Sequence, residues 1–258
     1  MRLLLPTEII IPEGKLLLNP NDPVLSGALM LNAFEKHFAE AFRSHIEQGM
    51  IIVDVGANIG YYTLIAAIRT GESGKVIACE PESENMQFLQ RMTRANSLTT
   101  VVLLEYALGD EDARAPLYLH PDNKGKHSLL KVEGHTPVQI ETRALDKLFP
   151  TLGISRIDVI KIDIEGWEAK ALKGMNELLK KFHPTLFFEF APVRIRMTGE
   201  DPLDTLESLC ALGYELAQID ERTGKFISIT DNNEFIMTLH GYDGYANIRA
   251  TCEEHTIS

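Results

Sequence analysis

The sequence predicts an α/β fold built on a doubly wound, mostly parallel sheet. Short apolar runs rich in β-branched residues, such as Ile51–Val55, alternate with amphipathic segments of helical period over most of the 258 residues. Strands that alternate with helices indicate a parallel sheet covered by helices on both faces. In addition, the strand Ile51–Val55 runs directly into a glycine-containing turn and a helix, an arrangement typical of nucleotide-binding α/β proteins.

The individual elements follow from periodicity and from turn residues. In the first 48 residues we predict a β-arm and a helix, because Phe34, Phe38, Phe42 and Ile46 recur at intervals of four. The core is predicted over 49–240, with an inserted β-hairpin at about 111–145, where β-like runs lie among proline and glycine residues. Residues 241–258 are predicted as a C-terminal tail. Core strands are predicted at 51–55, 75–79, 101–107, 157–162, 186–190, 214–218 and 234–239, and core helices at 60–70, 83–96, 167–182 and 203–212.

Composition and charge narrow the class of protein. The formal net charge of −12 argues against a nucleic-acid or anionic-membrane partner, because phosphate binding needs a basic face. The three cysteines fit no zinc pattern and suit a reducing compartment. No apolar run approaches the roughly 18 residues that span a bilayer. We therefore expect a cytoplasmic protein without a membrane span, and the sequence leaves a homo-oligomer open.

The turn after the first core strand has the pattern D-x-G-x-x-x-G, formed by Asp54, Gly56 and Gly60. A dinucleotide fingerprint aligned on Gly56 would need glycines where the chain has Asn58 and Tyr61, which disfavours an NAD-dependent dehydrogenase. The observed pattern resembles the first motif of class I S-adenosylmethionine-dependent methyltransferases. Gly56 lets the turn approach such a ligand, and the helix after Gly60 favours its carboxylate.

The neighbouring strand ends complete the expected cofactor site. Asp54 ends a buried strand and needs a partner, for which the ligand ammonium is one candidate. Glu80 ends the next strand and can accept both ribose hydroxyls. The remaining residues expected to contact the cofactor are Asn58, Tyr62 and Thr63 in the turn and helix, Ala107, Leu108 and Asp110 around the adenine, and Asp163.

Five motifs occur in a fixed order: "DVGANIGYYTLIAA", "EPESENMQFLQRMTRAN", "ALGD", "KIDIEGWEAKALKG" and "FFEF". Together they resemble the FkbM-like methyltransferase family, over roughly residues 49–239. The resemblance implies a Rossmann-like class I methyltransferase with a seven-stranded sheet whose last strand is antiparallel. It also implies S-adenosylmethionine as the donor and S-adenosylhomocysteine as the product. The acceptor stays open, because similar proteins act on sugars, polyketides, lipids and peptide side-chain amides.

Carboxylates at two strand ends are the candidate catalytic groups. Asp163 and Glu189 end adjacent predicted strands, so both are expected near the transferred methyl, with Glu165 close by. Methyl transfer to an alcohol depends on in-line positioning and on a base for the hydroxyl proton. Carboxylates that crowd together raise one pKa towards neutrality, which suits that base. His127 in the insertion is a second candidate base.

The same acids could instead hold a metal ion or stabilise the start of a helix. Asp163, Glu165 and Glu189 offer oxygen ligands for a divalent metal, but their spacing does not require one, and a metal is not favoured. Glu165 and Glu168 also fall at a helix start, where acids favour the helix dipole.

The sequence thus predicts an S-adenosylmethionine-dependent methyltransferase of biosynthesis that methylates a hydroxyl of a sugar or secondary metabolite. One alternative is an N-methyltransferase acting on a peptide side-chain amide. Another is a catalytically inactive S-adenosylmethionine-binding module, which the full set of cofactor residues disfavours.

Overall fold

The N-terminal segment is a hairpin followed by two helices. A computed structural model describes residues 6–121, 123–131, 133 and 135–252. The hairpin pairs β1 (Glu8–Ile11) with β2 (Gly14–Leu17), and the helices are α1 (Pro23–Met30) and α2 (Lys36–His45). Helix α1 was not predicted, although Asp22 supplies its N-cap by accepting from Leu25 N at 3.0 Å. The described part of the chain contains no helix both long and apolar enough to cross a membrane.

Beyond residue 50 strands and helices alternate, as predicted. In chain order the elements are β3 (Ile51–Val55), α3 (Tyr61–Thr70), β4 (Lys75–Cys79), α4 (Ser83–Ala95), β5 (Val101–Leu104), β6 (Ala107–Leu108), β7 (Ala113–Leu119), β8 (Thr136–Arg143), α5 (Leu145–Leu148), β9 (Val159–Ile162), α6 (Glu168–Lys173), α7 (Asn176–Phe182), β10 (Thr185–Phe190), α8 (Pro192–Met197), α9 (Pro202–Ala211), β11 (Tyr214–Ile219), β12 (Phe226–Ser228), α10 (Asn232–Thr238) and β13 (Ala246–Cys252). Two short 3-10 helices lie at Lys124–Lys126 and Phe149–Thr151.

The central sheet has the predicted architecture. Strands β5, β4, β3, β9 and β10 run parallel in that spatial order. Strand β13 inserts antiparallel between β10 and β11, and β12 pairs antiparallel with the far edge of β11. The mostly parallel sheet with an antiparallel last strand is therefore confirmed. It has eight strands instead of seven because the three-residue β12 extends its edge.

The identity of the last strand was predicted wrongly. Residues 234–239, expected as a strand, belong to helix α10, whose N-cap Asp231 accepts from Glu234 N at 2.9 Å. That capping interaction favours a helix over the β-propensity of the apolar residues that follow. The antiparallel strand is β13, so the sheet continues into the segment that we predicted as a tail.

The helix predicted at 167–182 is divided in two. Helix α6 ends at Gly174, where a Cβ atom would overlap the carbonyl oxygen of Gly109. Asp146 then caps α7 by accepting from Glu177 N and Leu178 N. Close backbone approach on one side and a capping carboxylate on the other end one helix and start the next.

The inserted hairpin is confirmed and forms a sheet of its own. Strands β7 and β8 pair antiparallel over their full length, and β6 adds a short parallel strand to β8. This arrangement corrects the strand predicted at 101–107: the chain leaves the central sheet after Leu104, and Ala107 pairs with Thr142 of the insertion. The insertion thereby begins at the carboxyl edge of the central sheet, where the site is found.

Candidate active site

A cavity of about 680 Å³ lies at the carboxyl ends of β3, β4, β9 and β10. The inserted hairpin and the N-terminal segment complete its walls. The predicted site residues that line it are Gly56, Asn58, Tyr62, Glu80, His127, Asp163, Glu165 and Glu189. Its volume falls within the range of about 300–1,000 Å³ that is usual for ligand sites.

The turn after β3 brings two strand ends together. Gly56 has a φ of 79°, and a Cβ atom there would overlap the carbonyl oxygen of Asp163. The glycine is therefore needed for the approach of the β9 loop, in addition to any approach of a ligand. Asn58 also adopts a left-handed conformation, with a φ of 52°, and its backbone N–H points to Glu80. Gly60 lies outside the cavity wall and packs against Met92 and Leu89 of α4.

Glu80 is a buried carboxylate that accepts hydrogen bonds from backbone N–H groups. Its Oε2 accepts from Asn58 N at 2.8 Å and its Oε1 accepts from Glu82 N at 2.9 Å. Burial raises the pKa of Glu80 to about 7, although these N–H groups act in the opposite direction. Since each carboxylate oxygen accepts more than one hydrogen bond, both oxygens keep capacity for a ligand in the cavity.

Asp54 has a protein partner in place of the expected ligand ammonium. Its Oδ2 accepts from Thr63 Oγ1 at 2.6 Å, and its Oδ1 lies 3.4 Å from Lys161 Nζ. Asp54 and Thr63 are fully buried and line no part of the cavity. Both were predicted to contact the cofactor, but neither lines the cavity: Asp54 contacts Lys161, and Thr63 donates to Asp54.

Lys161 is a buried residue of the cavity wall that the sequence analysis missed. Its ammonium is 3.0 Å from Gly56 O and 3.6 Å from Asp163 Oδ2, and its side chain is only 2% exposed. Burial lowers its pKa, but the attraction of the surrounding carboxylates, led by Asp54 and Asp163, outweighs burial and raises it. The signal was present, because a lysine inside a doubly buried strand requires a charged partner.

Arg194 of α8, also missed, joins two of the predicted catalytic acids. Its Nη2 lies 2.7 Å from Glu189 Oε1, and its Nη1 pairs with Glu165 Oε2. Burial nevertheless raises the pKa of Glu165 to about 7 and that of Glu189 well above its usual value. Asp163 adds to both shifts by its negative charge. The expected crowding of carboxylates at two strand ends is thus present, together with a guanidinium that partly balances it.

The loop that carries Glu165 has a strained backbone conformation and is fixed by hydrogen bonds. Glu165 has a φ of 54°, unusual for a residue with a side chain. Its carbonyl accepts from Ser128 Oγ of the insertion at 2.8 Å. Glu168 Oε1 accepts from the backbone N–H groups of Ile164 and Gly166, both at 3.1 Å. Glu168 is therefore a buried support of the loop, and it does not line the cavity.

The three predicted catalytic acids differ in access to the cavity. The side chain of Asp163 is 24% exposed, against 18% for Glu165 and 9% for Glu189. Asp163 is held by Lys161, whereas the other two are engaged by Arg194. Of the three, Asp163 has the carboxylate most available to a ligand.

A fourth carboxylate comes from the N-terminal segment, where no sequence motif marked it. Tyr62 Oη donates to Glu35 Oε2 at 2.6 Å, and Glu35 sits in a left-handed conformation immediately before α2. Burial, reinforced by the charge of Asp163, raises the pKa of Glu35 to about 8. The ring of Tyr62 packs edge-on against Phe38 and Phe42, so this tyrosine is fixed in place.

His127 lines the cavity, but its geometry makes it a hydrogen-bond donor. Its Nδ1 accepts from His120 N at 3.0 Å, which assigns the ring proton of the neutral form to Nε2. Burial lowers the pKa of His127 to about 4, so the ring is neutral near pH 7. This tautomer leaves neither ring nitrogen free to take a proton: Nδ1 already accepts, and the protonated Nε2 is buried without a hydrogen-bond partner among the described residues. The role of His127 as a base therefore stays a prediction that this tautomer disfavours.

The residues expected around the adenine lie outside the cavity. Ala107 packs with Leu117 and Ile140 of the insertion, and Leu108 belongs to the main core. Asp110 Oδ2 pairs with Lys170 Nζ at 3.0 Å. These placements follow from the early departure of the chain from the central sheet. In the part of the chain that the structure describes, no cluster of three or more acidic, histidine or cysteine side chains is arranged to hold a metal.

Comparisons with known proteins agree with this architecture. A family model described as the methyltransferase FkbM domain matches residues 54–216. Methyltransferase sdnD of Sordaria araneosa is 27% identical over 177 residues, covering 54% of this chain and 68% of the relative. Hexuronic acid methyltransferase AglP of Haloferax volcanii is 28% identical over 164 residues, covering 63% of this chain and 62% of the relative.

One solved structure supports the fold alone. A Clostridium thermocellum protein described as a candidate rRNA methylase superposes with a TM-score of 0.50 at 9% identity, over 84% of this chain and 94% of that protein. At that identity the match concerns the arrangement of strands and helices, which the topology of the central sheet shows independently.

Proposed function

We propose, from the premise that this chain belongs to the methyltransferase FkbM domain family, that it transfers a methyl group from S-adenosylmethionine to a hydroxyl of a sugar or secondary metabolite. The observation that carries this proposal is that Glu80 and Asp163 both line one cavity at the carboxyl ends of the central strands. The two buried carboxylate oxygens of Glu80 suit the ribose of that donor, and the more accessible carboxylate of Asp163 suits its methionine end.

The residues present fit the donor. Glu80 presents its free acceptor capacity to ribose hydroxyls, while Asn58 and Glu82 hold the carboxylate in place. Asp163 offers a carboxylate to an ammonium or to the acceptor hydroxyl, and Lys161 Nζ lies 3.6 Å from its Oδ2. When bound, S-adenosylmethionine supplies an electrophilic methyl on a sulfonium. The excess of carboxylates in the wall favours such a cation.

The chemistry asked of the protein is positioning and proton removal. Holding an acceptor oxygen in line supplies much of the rate in a displacement of this kind. Asp163 is our candidate for the group that takes the hydroxyl proton, since it is the most accessible acid at the transfer end. Arg194 fixes the side chains of Glu165 and Glu189.

A hydroxylated acceptor is supported by the polar residues that the insertion adds to the cavity wall. Lys126, His127 and Ser128 of the insertion line the cavity there. A relative of 28% identity is named a hexuronic acid methyltransferase, which is one example of a sugar acceptor. A sugar hydroxyl is therefore the acceptor group that we place at Asp163.

Cofactor binding is tested by titration calorimetry with S-adenosylhomocysteine. We expect Glu80→Ala to weaken binding by about tenfold or more, because hydrogen bonds to charged groups contribute about 1.5–3 kcal/mol. Glu177→Ala is the matched control, since the described contacts of its side chain are with the neighbouring Asn176 and Lys180, outside the cavity. Absence of binding at submillimolar ligand would refute the proposal.

The acceptor is tested by intact-mass screening with S-adenosylmethionine. We expect a mass gain of one methyl group, with loss of one proton, on hydroxylated glycosides. A gain confined to peptides would replace the proposed function with N-methylation of a side-chain amide. Binding of the donor without turnover on either panel would favour an inactive binding module.

A further inference from the structure

The segment that connects α10 to β13 places two exposed tyrosines in the cavity wall. We call residues 241–245, with the sequence Gly-Tyr-Asp-Gly-Tyr, the tyrosine loop. Tyr242 is 45% exposed and Tyr245 is 43% exposed, and both line the cavity together with Asp243. Large aromatic side chains on the rim of a cavity are accessible to a ligand and bring a large contact area.

The loop is a tight turn whose shape depends on its glycines. Gly241 has a φ of 74°, and Gly244 N donates to Gly241 O at 3.1 Å. A Cβ atom at Gly244 would overlap the carbonyl oxygen of His240. The backbone conformation therefore requires glycine at these two positions, and it presents the side chains of the intervening residues at the rim.

The loop stands at the transfer end of the cavity. It leads directly into β13, whose Ala246 and Asn247 pair with Phe190 and Glu189 at the end of β10. The guanidinium carbon of Arg194 is 6.0 Å from the ring centroid of Tyr245. Arg194 in turn contacts Glu165 and Glu189. A molecule bound to the tyrosine loop therefore lies next to the carboxylates proposed for methyl transfer.

The composition of the loop indicates the chemistry of that molecule. Aromatic faces carry negative charge density and attract C–H groups polarised by neighbouring oxygens, as on the face of a sugar ring. Asp243, between the tyrosines, is exposed and offers carboxylate oxygens that accept from the hydroxyls of a sugar, groups that an aliphatic chain lacks.

We propose that the tyrosine loop is the acceptor subsite and that it binds the sugar ring of a glycoside. The faces of Tyr242 and Tyr245 contact the C–H surface of the ring, and Asp243 accepts from its hydroxyls. The subsite rests on the proposed function, because it orients one hydroxyl of the same ring towards Asp163. Lys126 and His127 of the insertion also line the cavity and complete the wall around the ring.

The test measures glycoside affinity on the full chain saturated with S-adenosylhomocysteine. The probes are the p-nitrophenyl glycosides of glucose, galactose and glucuronic acid, titrated by ligand-observed NMR. We expect Tyr242→Ala and Tyr245→Ala each to raise the Kd of the bound probe by about three- to tenfold, the scale of one aromatic contact. Tyr242→Phe and Tyr245→Phe keep the ring and should stay within about twofold of the parent.

Two controls separate this subsite from the cofactor site and from general damage. Met237→Ala removes a side chain that is 72% exposed on α10 and does not line the cavity, so glycoside affinity should not change. All of these variants should bind S-adenosylhomocysteine as the parent does. Failure of the parent to bind S-adenosylhomocysteine refutes the proposed function itself. Normal cofactor binding overturns only the acceptor subsite if the alanine variants keep full glycoside affinity, or if none of the probes binds the parent.

Discussion

Replacing Lys161 by methionine tests whether the buried ammonium holds the floor of the site together. The lysine is 2% exposed, lies 3.4 Å from Asp54 and 3.6 Å from Asp163, and donates to Gly56 O. Lys161→Met keeps the length of the side chain and removes the charge. Asp54 is then left fully buried with Thr63 as its remaining partner.

The expected loss of stability is large. A charge pair at this separation attracts by roughly 5 kcal/mol at an effective dielectric constant of about 20, and desolvation of both groups offsets part of that. Removal of one partner of a buried pair typically costs about 3–5 kcal/mol, because the other charge stays buried without compensation. For a chain of this size, such a change lowers Tm by roughly 6–20 °C. Loss of the Gly56 contact should also weaken cofactor binding.

Urea denaturation followed by circular dichroism measures the change in the free energy of unfolding. Lys170→Met is the matched control: its pairs with Asp110 and Glu200 are at the surface, and we expect a loss of no more than about 1 kcal/mol. Adding Asp54→Asn to Lys161→Met should recover more than about 1 kcal/mol, because the uncompensated charge is gone. A loss for Lys161→Met no larger than that of the control, or strict additivity in the double variant, would refute the reasoning.

Three further predictions follow from the same contacts. Burial raises the pKa of Glu80 to about 7, so S-adenosylhomocysteine affinity measured by calorimetry should fall as the pH drops through that value, and Glu80→Gln should abolish the dependence. The free energy of unfolding should depend on pH in the opposite sense. Because the pKa of Glu80 is higher in the folded protein (about 7) than in the unfolded chain (about 4.5), its contribution to stability is greatest at low pH and declines as the pH rises from about 4.5 to about 7. Urea titrations at several pH values will detect this decline. Gly174→Ala should destabilise the fold by about 3 kcal/mol or more in thermal unfolding, because the added Cβ atom overlaps a backbone carbonyl. Its control is Gly27→Ala in helix α1, where the Cβ atom meets open space, and this variant should be more stable by up to about 1 kcal/mol. Tyr62→Phe removes the donor that lowers the pKa of Glu35, so a carboxyl-carbon NMR titration should find that pKa above its value of about 8, and an unchanged pKa would contradict the 2.6 Å hydrogen bond.

The parts of the fold that the sequence predicts well are those with strong local periodicity. Strands β3 and β4 have the predicted bounds, because β-branched runs between turn residues leave little choice. The strand predicted at 234–239 shows the limit of that reasoning. Its apolar residues suit a strand or a helix, and the deciding contact is the single cap made by Asp231. Likewise, the break at Gly174 depends on Gly109, which is distant in sequence.

The residues of the candidate site likewise fall into those that local sequence patterns predict and those that they do not. Residues at strand ends, such as Glu80 and Asp163, are predictable because parallel strands bring their carboxyl ends to one edge. Glu35 and Arg194 reach the cavity from a helix start and from a helix beyond the sheet. Their position depends on how those helices pack, for which no local pattern exists. Lys161, unlike Glu35 and Arg194, was predictable. It lies in a buried strand, and a buried ammonium requires carboxylate partners nearby.

Charge balance also explains why these missed residues matter to the site as a whole. Among the described residues, Glu35, Asp163, Glu165 and Glu189 converge in the cavity, and Lys161 and Arg194 compensate only part of their charge. Burial is the main reason that the pKa values of Glu35, Glu165 and Glu189 are raised, and the negative charge of Asp163 adds to each shift. A cation bound beside these acids favours their ionised forms, so under the proposed function the sulfonium of the donor lowers their pKa values, whereas the thioether of the product does not. In their ionised forms these acids attract the donor more strongly than the product, and this difference favours product release after each transfer.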